Sequence, residues 1–169
     1  MDGRIERAIH TFVLHHRWIV DLARILTHLG DPVVVTVLTV ALALLLWWRG
    51  DRRGAVFVAA TRLLAVVVSS VVKALVRRHR PVLAHPLAHA HGYSFPSGHA
   101  LGSAALWASV AFVAAARGLS RGRAVALAVT VPVVVAATRV LLGVHYVTDV
   151  IGGLVLGWAC AAICRRLTP

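Results

Sequence analysis

Three short stretches of the sequence concentrate the polar side chains that can bind and transfer an anionic group. They are KALVRRHRP (residues 73–81), PSGH (96–99) and TRVLLGVHYVTD (138–149). Lys73, Arg80 and Arg139 supply fixed positive charge, which suits a dianionic tetrahedral group. Two of their histidines, His99 and His145, and the aspartate Asp149 can move protons or attack an electrophile. These residue types together point to chemistry on a phosphoryl group.

The first stretch predicts the end of a helix. Lys73 and Arg80 are separated by two helical turns, so both are expected on one face, with Arg77 near the same line. Pro81 is expected to end this helix, because its ring cannot continue the hydrogen-bond ladder. Taken alone, the pattern is also typical of a basic collar at the end of a membrane helix.

The second stretch lies immediately before a long apolar run and predicts a helix start that binds an anion. Unpaired N–H groups converge at a helix N-terminus. Ser97 can add a hydroxyl donor, and Gly98 lets a ligand approach the backbone. His99 can exchange a proton near neutral pH. The alternative is that Ser97 only caps the helix, which leaves His99 without an explanation.

The third stretch pairs an imidazole with a carboxylate. His145 precedes Asp149 by four residues, which in helical geometry places the two side chains together. Such a carboxylate fixes the tautomer of the histidine and leaves its other ring nitrogen free to attack. We therefore interpret His145 as the candidate nucleophile and His99 as the candidate acid for the leaving oxygen.

The composition indicates which elements must position these residues. The chain of 169 residues is 59% hydrophobic and only 14% charged, as in an integral membrane protein. Backbone exposed to lipid must be helical, even where valine is abundant. Five apolar stretches predict transmembrane helices, each long enough to cross most of a bilayer: Asp31–Trp48, residues 54–76, 99–116, 124–142 and 149–164.

The predicted fold is therefore an all-α membrane bundle, with residues 1–169 as a single domain. Apolar residues between Ile5 and Leu26 recur on one helical face, so residues 1–29 are interpreted as an amphipathic helix in the membrane interface. The alternative is a sixth transmembrane helix, which would place charged side chains in the bilayer. That alternative agrees better with the distribution of positive charge.

Arginine placement predicts the orientation. The loops WWRGDRRG and ARGLSRGR and the C-terminal Arg165 and Arg166 fall on one side, which the positive-inside rule makes cytoplasmic. The three polar stretches then lie on the extracytoplasmic side of a cell membrane. Their surplus positive charge, part of a net charge of +12, is explained by an anionic substrate. Nucleic acid is not expected as a partner, because no binding motif interleaves aromatic residues with these charges.

Read in order, the three stretches closely resemble the signatures of the type 2 phosphatidic acid phosphatase superfamily: Lys-x6-Arg-Pro, Pro-Ser-Gly-His and Ser-Arg-x5-His-x3-Asp. Only Thr138 departs from them, and it keeps the hydroxyl of serine. The resemblance implies a phosphatase that needs no metal or other cofactor and forms a phosphohistidine at His145, supported by Asp149, with His99 as acid. It further implies phosphoryl binding by Lys73, Arg80, Ser97, Gly98 and Arg139.

The resemblance implies a lipid phosphate in the bilayer as substrate, and leaves its identity open. An outward-facing site favours undecaprenyl or another polyprenyl diphosphate, with phosphatidic acid and phosphatidylglycerol phosphate as alternatives. A lipid-binding module without catalysis, or a phosphotransferase, is a further alternative. We interpret His85, His89 and His91 as shaping the substrate entrance rather than holding zinc, which prefers four ligands. Tyr93 and Phe95 are expected either to line that entrance or to seat the turn.

Overall fold

In a computed structural model, which describes residues 2–83 and 87–168, the chain is a bundle of α-helices with no strand among the described residues. The helices are α1 (Asp2–Leu14), α2 (Arg17–Thr27), α3 (Pro32–Trp48), α4 (Arg52–Val76), α5 (Gly98–Ala116), α6 (Arg121–Leu141) and α7 (Val147–Leu167). A short 3-10 turn, His28–Gly30, joins α2 to α3. The predicted all-α membrane bundle is confirmed.

Helix α5 lies at the centre and packs against α3, α4, α6 and α7. Its contact with α7 is close because two glycines of the α7 segment GLVLG face it. A methyl group added at Gly153 would lie 2.7 Å from the Ser97 carbonyl oxygen, and one at Gly157 would collide with the Leu101 carbonyl. Small residues thus bring the start of α7 against the start of α5, and both starts carry residues of the predicted site.

The N-terminal segment differs from the single amphipathic helix expected over residues 1–29. It forms two helices, α1 and α2, separated at His15 and His16. Val13 and Val20 are buried together against Leu142 and Val144, which flank the C-terminal end of α6. Packing against the rest of the bundle, which no local pattern reveals, therefore divides the segment.

Four helices, α4 to α7, are long and apolar enough to cross a membrane. Helix α3 has only 17 residues, or about 26 Å at 1.5 Å per residue, which is short of a ~30 Å hydrocarbon core. Together with Arg17–Gly30 it forms a pair bent by 42° that would make a fifth span. Its predicted start is confirmed, since Asp31 Oδ1 accepts a hydrogen bond from the Val33 amide at 2.8 Å.

Helix α4 ends where its predicted apolar span, residues 54–76, ends, and it does not continue to Pro81, which was also expected to end it. Its last residue is Val76, and Arg77 takes a left-handed conformation with φ of +48°. Arg80 is therefore not on a helical face with Lys73. The chain from Arg77 onward leaves the helix and crosses toward the loop that precedes α7, which is how Arg80 reaches the site.

Candidate active site

The three polar stretches meet at one end of the bundle, where α4 ends and α5 and α7 begin. The Ser97 amide donates a hydrogen bond to the Asp149 carbonyl at 3.0 Å, which joins the second stretch to the third. Arg80 reaches His145, which joins the first stretch to the third. The structure thus gathers residues that lie up to 76 positions apart in the sequence.

The Asp149 carboxylate is fully buried and held from two sides. Its Oδ1 accepts a hydrogen bond from Arg78 Nη1 at 2.8 Å, and its Oδ2 accepts one from the Tyr146 amide at 3.0 Å. Oδ2 also lies 3.5 Å from His145 Nδ1. That separation is at the limit of a hydrogen bond, and Nδ1 forms no hydrogen bond with the described residues, so the carboxylate faces the ring without a short contact.

The contacts of His145 define its tautomer. Arg80 Nη1 lies 3.1 Å from Nε2, and a guanidinium can only donate. Nε2 therefore carries the lone pair, and Nδ1 carries the proton that faces Asp149. The pair forms across the start of α7, because His145 precedes the first helical residue, Val147. The predicted neighbours are correct, although the helical geometry used to predict them is not.

The surroundings of His145 keep it neutral. Burial lowers its pKa to about 4, and the positive charges of Arg80 and Arg139 act in the same direction. The nearby Asp149 carboxylate opposes this shift without cancelling it. A neutral imidazole whose Nε2 carries the lone pair is the form that can act as a nucleophile.

Arg80 is fixed by a cage of backbone carbonyls. Its Nε donates to the Gly92 oxygen at 3.0 Å, and its Nη2 donates to the His91 oxygen at 3.1 Å. Its Nη1 donates to the Val144 oxygen at 2.8 Å as well as contacting His145. The side chain therefore holds its charge beside Nε2 of His145.

The start of α5 presents a buried hydroxyl without a partner. Ser97 is fully buried, and its Oγ forms no hydrogen bond with the described residues. It is the N-cap residue of α5, but its side chain makes no capping hydrogen bond with the described residues, so side-chain capping does not explain the serine. A methyl group at Gly98 would lie 3.9 Å from Lys73 Nζ, which places the lysine against the same helix start.

Arg139 and His99 complete the set of predicted site residues at this end of the bundle. Arg139 is buried, and its Nη1 donates to Thr27 Oγ1 at 2.8 Å, while its Nε forms no hydrogen bond with the described residues. His99 lies within electrostatic range of both Arg139 and His145. Thr138, the one departure from the signatures, turns its hydroxyl to the Val135 carbonyl at 2.6 Å. It therefore serves the helix rather than the site.

Arg78 is a site residue that the sequence analysis missed. Besides Asp149, its Nη1 contacts Thr148 Oγ1 at 2.6 Å, and its guanidinium carbon lies 4.1 Å from the centre of the Tyr146 ring. In the run Arg77-Arg78-His79-Arg80 nothing distinguishes it from its neighbours. Recognising it from sequence would have required knowing the path of the chain after Val76, where Arg77 takes a left-handed conformation.

The loop before α5 contributes to the site through its backbone carbonyl groups more than through its side chains. His89 and His91 are exposed, and His85 lies outside the described residues. Tyr93 is partly exposed, whereas Phe95 places its ring over α7, where a methyl group at Gly152 would lie 2.5 Å from Phe95 Cε2. Of the two roles considered for Phe95, seating the turn agrees with this contact.

Comparison with known proteins identifies the family. The model of the PAP2 superfamily matches residues 54–169, which includes all three polar stretches. The chain belongs to the PAP2 superfamily. It is 33% identical to phosphatidylglycerophosphatase B of Bacillus subtilis, over 92% of this chain and 77% of that protein. It is 30% identical to decaprenylphosphoryl-5-phosphoribose phosphatase of Mycobacterium tuberculosis, over 92% of this chain and 84% of that one.

Two solved structures share the PAP2 fold. A transmembrane PAP2-type phosphatidylglycerolphosphate phosphatase from Bacillus subtilis matches with a TM-score of 0.82 and 26% identity, over 98% of this chain and 83% of its own. LpxE from Aquifex aeolicus matches with a TM-score of 0.76 over 96% and 93% of the two chains, and at 19% identity it supports the fold alone. The chain is thus a multi-pass membrane protein of a family of lipid phosphatases.

Proposed function

We propose that this protein removes a terminal phosphate from a membrane lipid, without a metal ion, through a phosphohistidine at His145. One observation carries the proposal: Nε2 of a neutral His145 faces Arg80, while Asp149 lies behind Nδ1. A nucleophile and a phosphoryl-binding cation are therefore side by side, and a carboxylate is in place for the imidazolium that develops.

In the first step, the Nε2 lone pair attacks phosphorus and the bond from phosphorus to the lipid oxygen breaks. His99 donates a proton to that oxygen, and the dephosphorylated lipid leaves. In the second step, His99 takes a proton from water as the water oxygen attacks the phosphohistidine. The nitrogen–phosphorus bond breaks, inorganic phosphate is released, and both histidines regain their starting protonation.

Five residues are proposed to hold the phosphoryl oxygens: Lys73, Arg80, Ser97, Gly98 and Arg139. The unpartnered buried atoms support this role, because a buried polar atom without a hydrogen bond is costly unless a ligand completes it. Ser97 Oγ and Arg139 Nε are two such atoms. The start of α5 adds backbone N–H groups that favour an anion.

The substrate is proposed among lipids that carry an exposed phosphate. Polyprenyl diphosphates are candidates because the site is proposed to face outward. Phosphatidylglycerol phosphate follows from the name of the relative in Bacillus subtilis, and phosphatidic acid is the third candidate. A panel of these lipids, with phosphate release measured for each, ranks them directly.

The site is proposed to open on the extracytoplasmic face, with the C-terminus in the cytoplasm. Arg52, Arg53 and Arg121 lie at the opposite end of α4 and α6 from the site, as the positive-inside rule requires. A cysteine introduced at Gly92 in intact cells should react with a membrane-impermeant maleimide. Protection of that cysteine would reverse the orientation.

The function is tested by phosphate release from the panel by purified protein in detergent with EDTA. Turnover should persist in EDTA and be abolished in His145→Gln, whereas the matched variant His89→Gln, in the exposed loop, should retain it. A denatured sample quenched during turnover should carry acid-labile phosphate on His145. Full dependence on an added divalent cation would contradict the mechanism, and lipid binding without turnover would favour a non-catalytic module.

A further inference from the structure

A further cation, Arg62, lies in the middle of α4, eleven residues before Lys73. Its Nη2 donates to Thr36 Oγ1 at 2.8 Å and to the Pro32 carbonyl at 3.3 Å. These partners lie in the first turn of α3, so the guanidinium is directed toward the active-site end of the bundle. Among the described residues it forms no ion pair, and its Nε is buried without a hydrogen-bond partner.

The two cations lie one helical turn apart along α5. A methyl group at Gly98 would lie 3.9 Å from Lys73 Nζ, and one at Gly102 would lie 3.3 Å from Arg62 Nη1. Residues four apart on a helix are separated by a rise of about 6 Å. The Arg62 guanidinium thus lies beside the same face of α5 as the Lys73 ammonium, about one turn farther from the start of α5.

A cavity connects the two side chains. It has a volume of ≈ 250 Å³ between α3, α4 and α5, and its lining includes Arg62, Ser69, Ser70, Lys73, Gly98 and Gly102. Arg62 also lines a wider apolar groove of ≈ 490 Å³ between α3 and α4, with Val40, Leu44 and Trp47. It therefore stands where this cavity beside the site, which two serines and Lys73 line in part, meets an apolar groove of the transmembrane region.

The position of Arg62, in the middle of a helix long enough to cross a membrane, requires an explanation. Charged side chains inside a bilayer are costly and commonly mark a substrate path. Holding α3 to α4 accounts for Nη2 alone. It leaves Nε without a hydrogen-bond partner among the described residues, and Nη1 beside Gly102, which lines the cavity. A bound anion in the cavity would complete the guanidinium in the way that a carboxylate does elsewhere.

We propose that Arg62 binds a second phosphoryl group of the lipid, located between the scissile phosphate and the hydrocarbon tail. This inference rests on the proposed function, since it takes Lys73 as a ligand of the scissile phosphate. The tail would then continue into the groove between α3 and α4. The substrate class is a lipid with two phosphoryl groups, such as phosphatidylglycerol phosphate or a polyprenyl diphosphate. Phosphatidic acid, which has one, cannot use Arg62 in this way.

The test compares phosphatidylglycerol phosphate with phosphatidic acid carrying the same acyl chains, in wild type and Arg62→Gln. For the lipid with two phosphoryl groups, KM should rise about tenfold or more, since a charge-assisted hydrogen bond is lost. For phosphatidic acid, KM should change less than twofold, and kcat should be retained for both lipids. An equal loss on the two lipids would show a purely structural arginine and overturn the proposal.

Further variants separate charge from fold. Arg62→Lys should recover part of the selective loss, because it restores the charge without the planar fork. Gly102→Ala should reproduce the selectivity change by filling the space beside Nη1, and Arg53→Gln, at the far end of the same helix, should leave both lipids unaffected. Thermal unfolding of each variant shows whether the bundle remains intact.

A binding measurement keeps this inference separate from catalysis. Wild type should bind phosphatidylglycerol phosphate in detergent more tightly than phosphatidic acid, and Arg62→Gln should remove that difference. If no lipid is hydrolysed but the binding preference depends on Arg62, the proposed function fails and the subsite stands. If hydrolysis occurs and neither KM nor binding distinguishes the lipids through Arg62, the subsite fails alone.

Discussion

Replacing Arg78 with glutamine should slow catalysis while leaving the bundle folded. Arg78 Nη1 donates to Asp149 Oδ1 at 2.8 Å and to Thr148 Oγ1 at 2.6 Å. Without it, the fully buried carboxylate keeps the Tyr146 amide at 3.0 Å and the distant His145 Nδ1 at 3.5 Å. A carboxylate with fewer donors rotates more freely, so it no longer holds the His145 ring in one orientation.

The size of the effect follows from the lost contact. A hydrogen bond to a charged group contributes about 1.5–3 kcal/mol, and each 1.36 kcal/mol is tenfold in rate. If most of this loss falls on the step in which His145 attacks, kcat should drop about ten- to 100-fold. KM should change little, because Arg78 contacts Asp149 rather than the proposed phosphoryl site. Lysine at this position should recover part of the rate, since it keeps the charge but not the fork.

The neighbouring arginine supplies a matched control. Arg77 is exposed, and its Nε donates to the Ala74 carbonyl at 2.9 Å, so Arg77→Gln removes the same charge one residue away. Steady-state phosphate release and the rate of phosphoenzyme formation should fall in Arg78→Gln and stay near wild type in Arg77→Gln. Equal rates in the two variants would refute the reasoning. So would a loss in Arg78→Gln that is explained by a matching fall in the melting temperature.

Two further predictions concern His145 and Ser97. Burial holds the pKa of His145 at about 4, whereas an unfolded histidine titrates near 6.5. The unfolded chain therefore binds the extra proton between these values, and stability rises with pH across that window and is lost as pH falls through it. The melting temperature of wild type relative to His145→Gln should decrease from pH 7 to pH 4.5, and a constant difference would show that the ring is not buried and neutral. Ser97→Ala should raise KM for lipid phosphate. The melting temperature of this variant should be unchanged or higher, because Ser97 Oγ has no hydrogen-bond partner among the described residues. A marked fall in melting temperature would assign the hydroxyl a structural role.

Much of the site could be predicted from sequence, because its residues are tied to local signals. Asp31 and Pro32 mark the start of α3, and Ser97 and Gly98 mark the start of α5. Five of the seven helices were predicted with small differences at their ends, because an apolar segment in a membrane must form a helix to satisfy its backbone hydrogen bonds. The family signatures then selected the chemically relevant residues from 18 lysines and arginines and 10 histidines.

The remaining features depend on packing between distant segments. Thr27 anchors Arg139 across 112 positions of sequence, and no pattern within α2 indicates that contact. The break at His15 and His16 likewise follows from the burial of Val13 and Val20 against the end of α6. Amphipathic periodicity correctly indicates that a segment packs against something. It does not say whether the segment meets lipid headgroups or the protein itself.

The pairing of His145 with Asp149 shows why a correct neighbour can follow from an incorrect geometry. A spacing of four residues fits one helical turn, but here Tyr146 lies at the helix boundary and the Asp149 carboxylate turns back to accept its amide. Because the carboxylate points back toward the start of α7, its Oδ2 also lies 3.5 Å from Nδ1 of His145, a residue that precedes the helix. A carboxylate in the first turn, three residues after the boundary, does this at many helix starts. The spacing therefore constrains which groups meet, while the helix boundary decides the direction from which they meet. In this arrangement Nε2 faces Arg80.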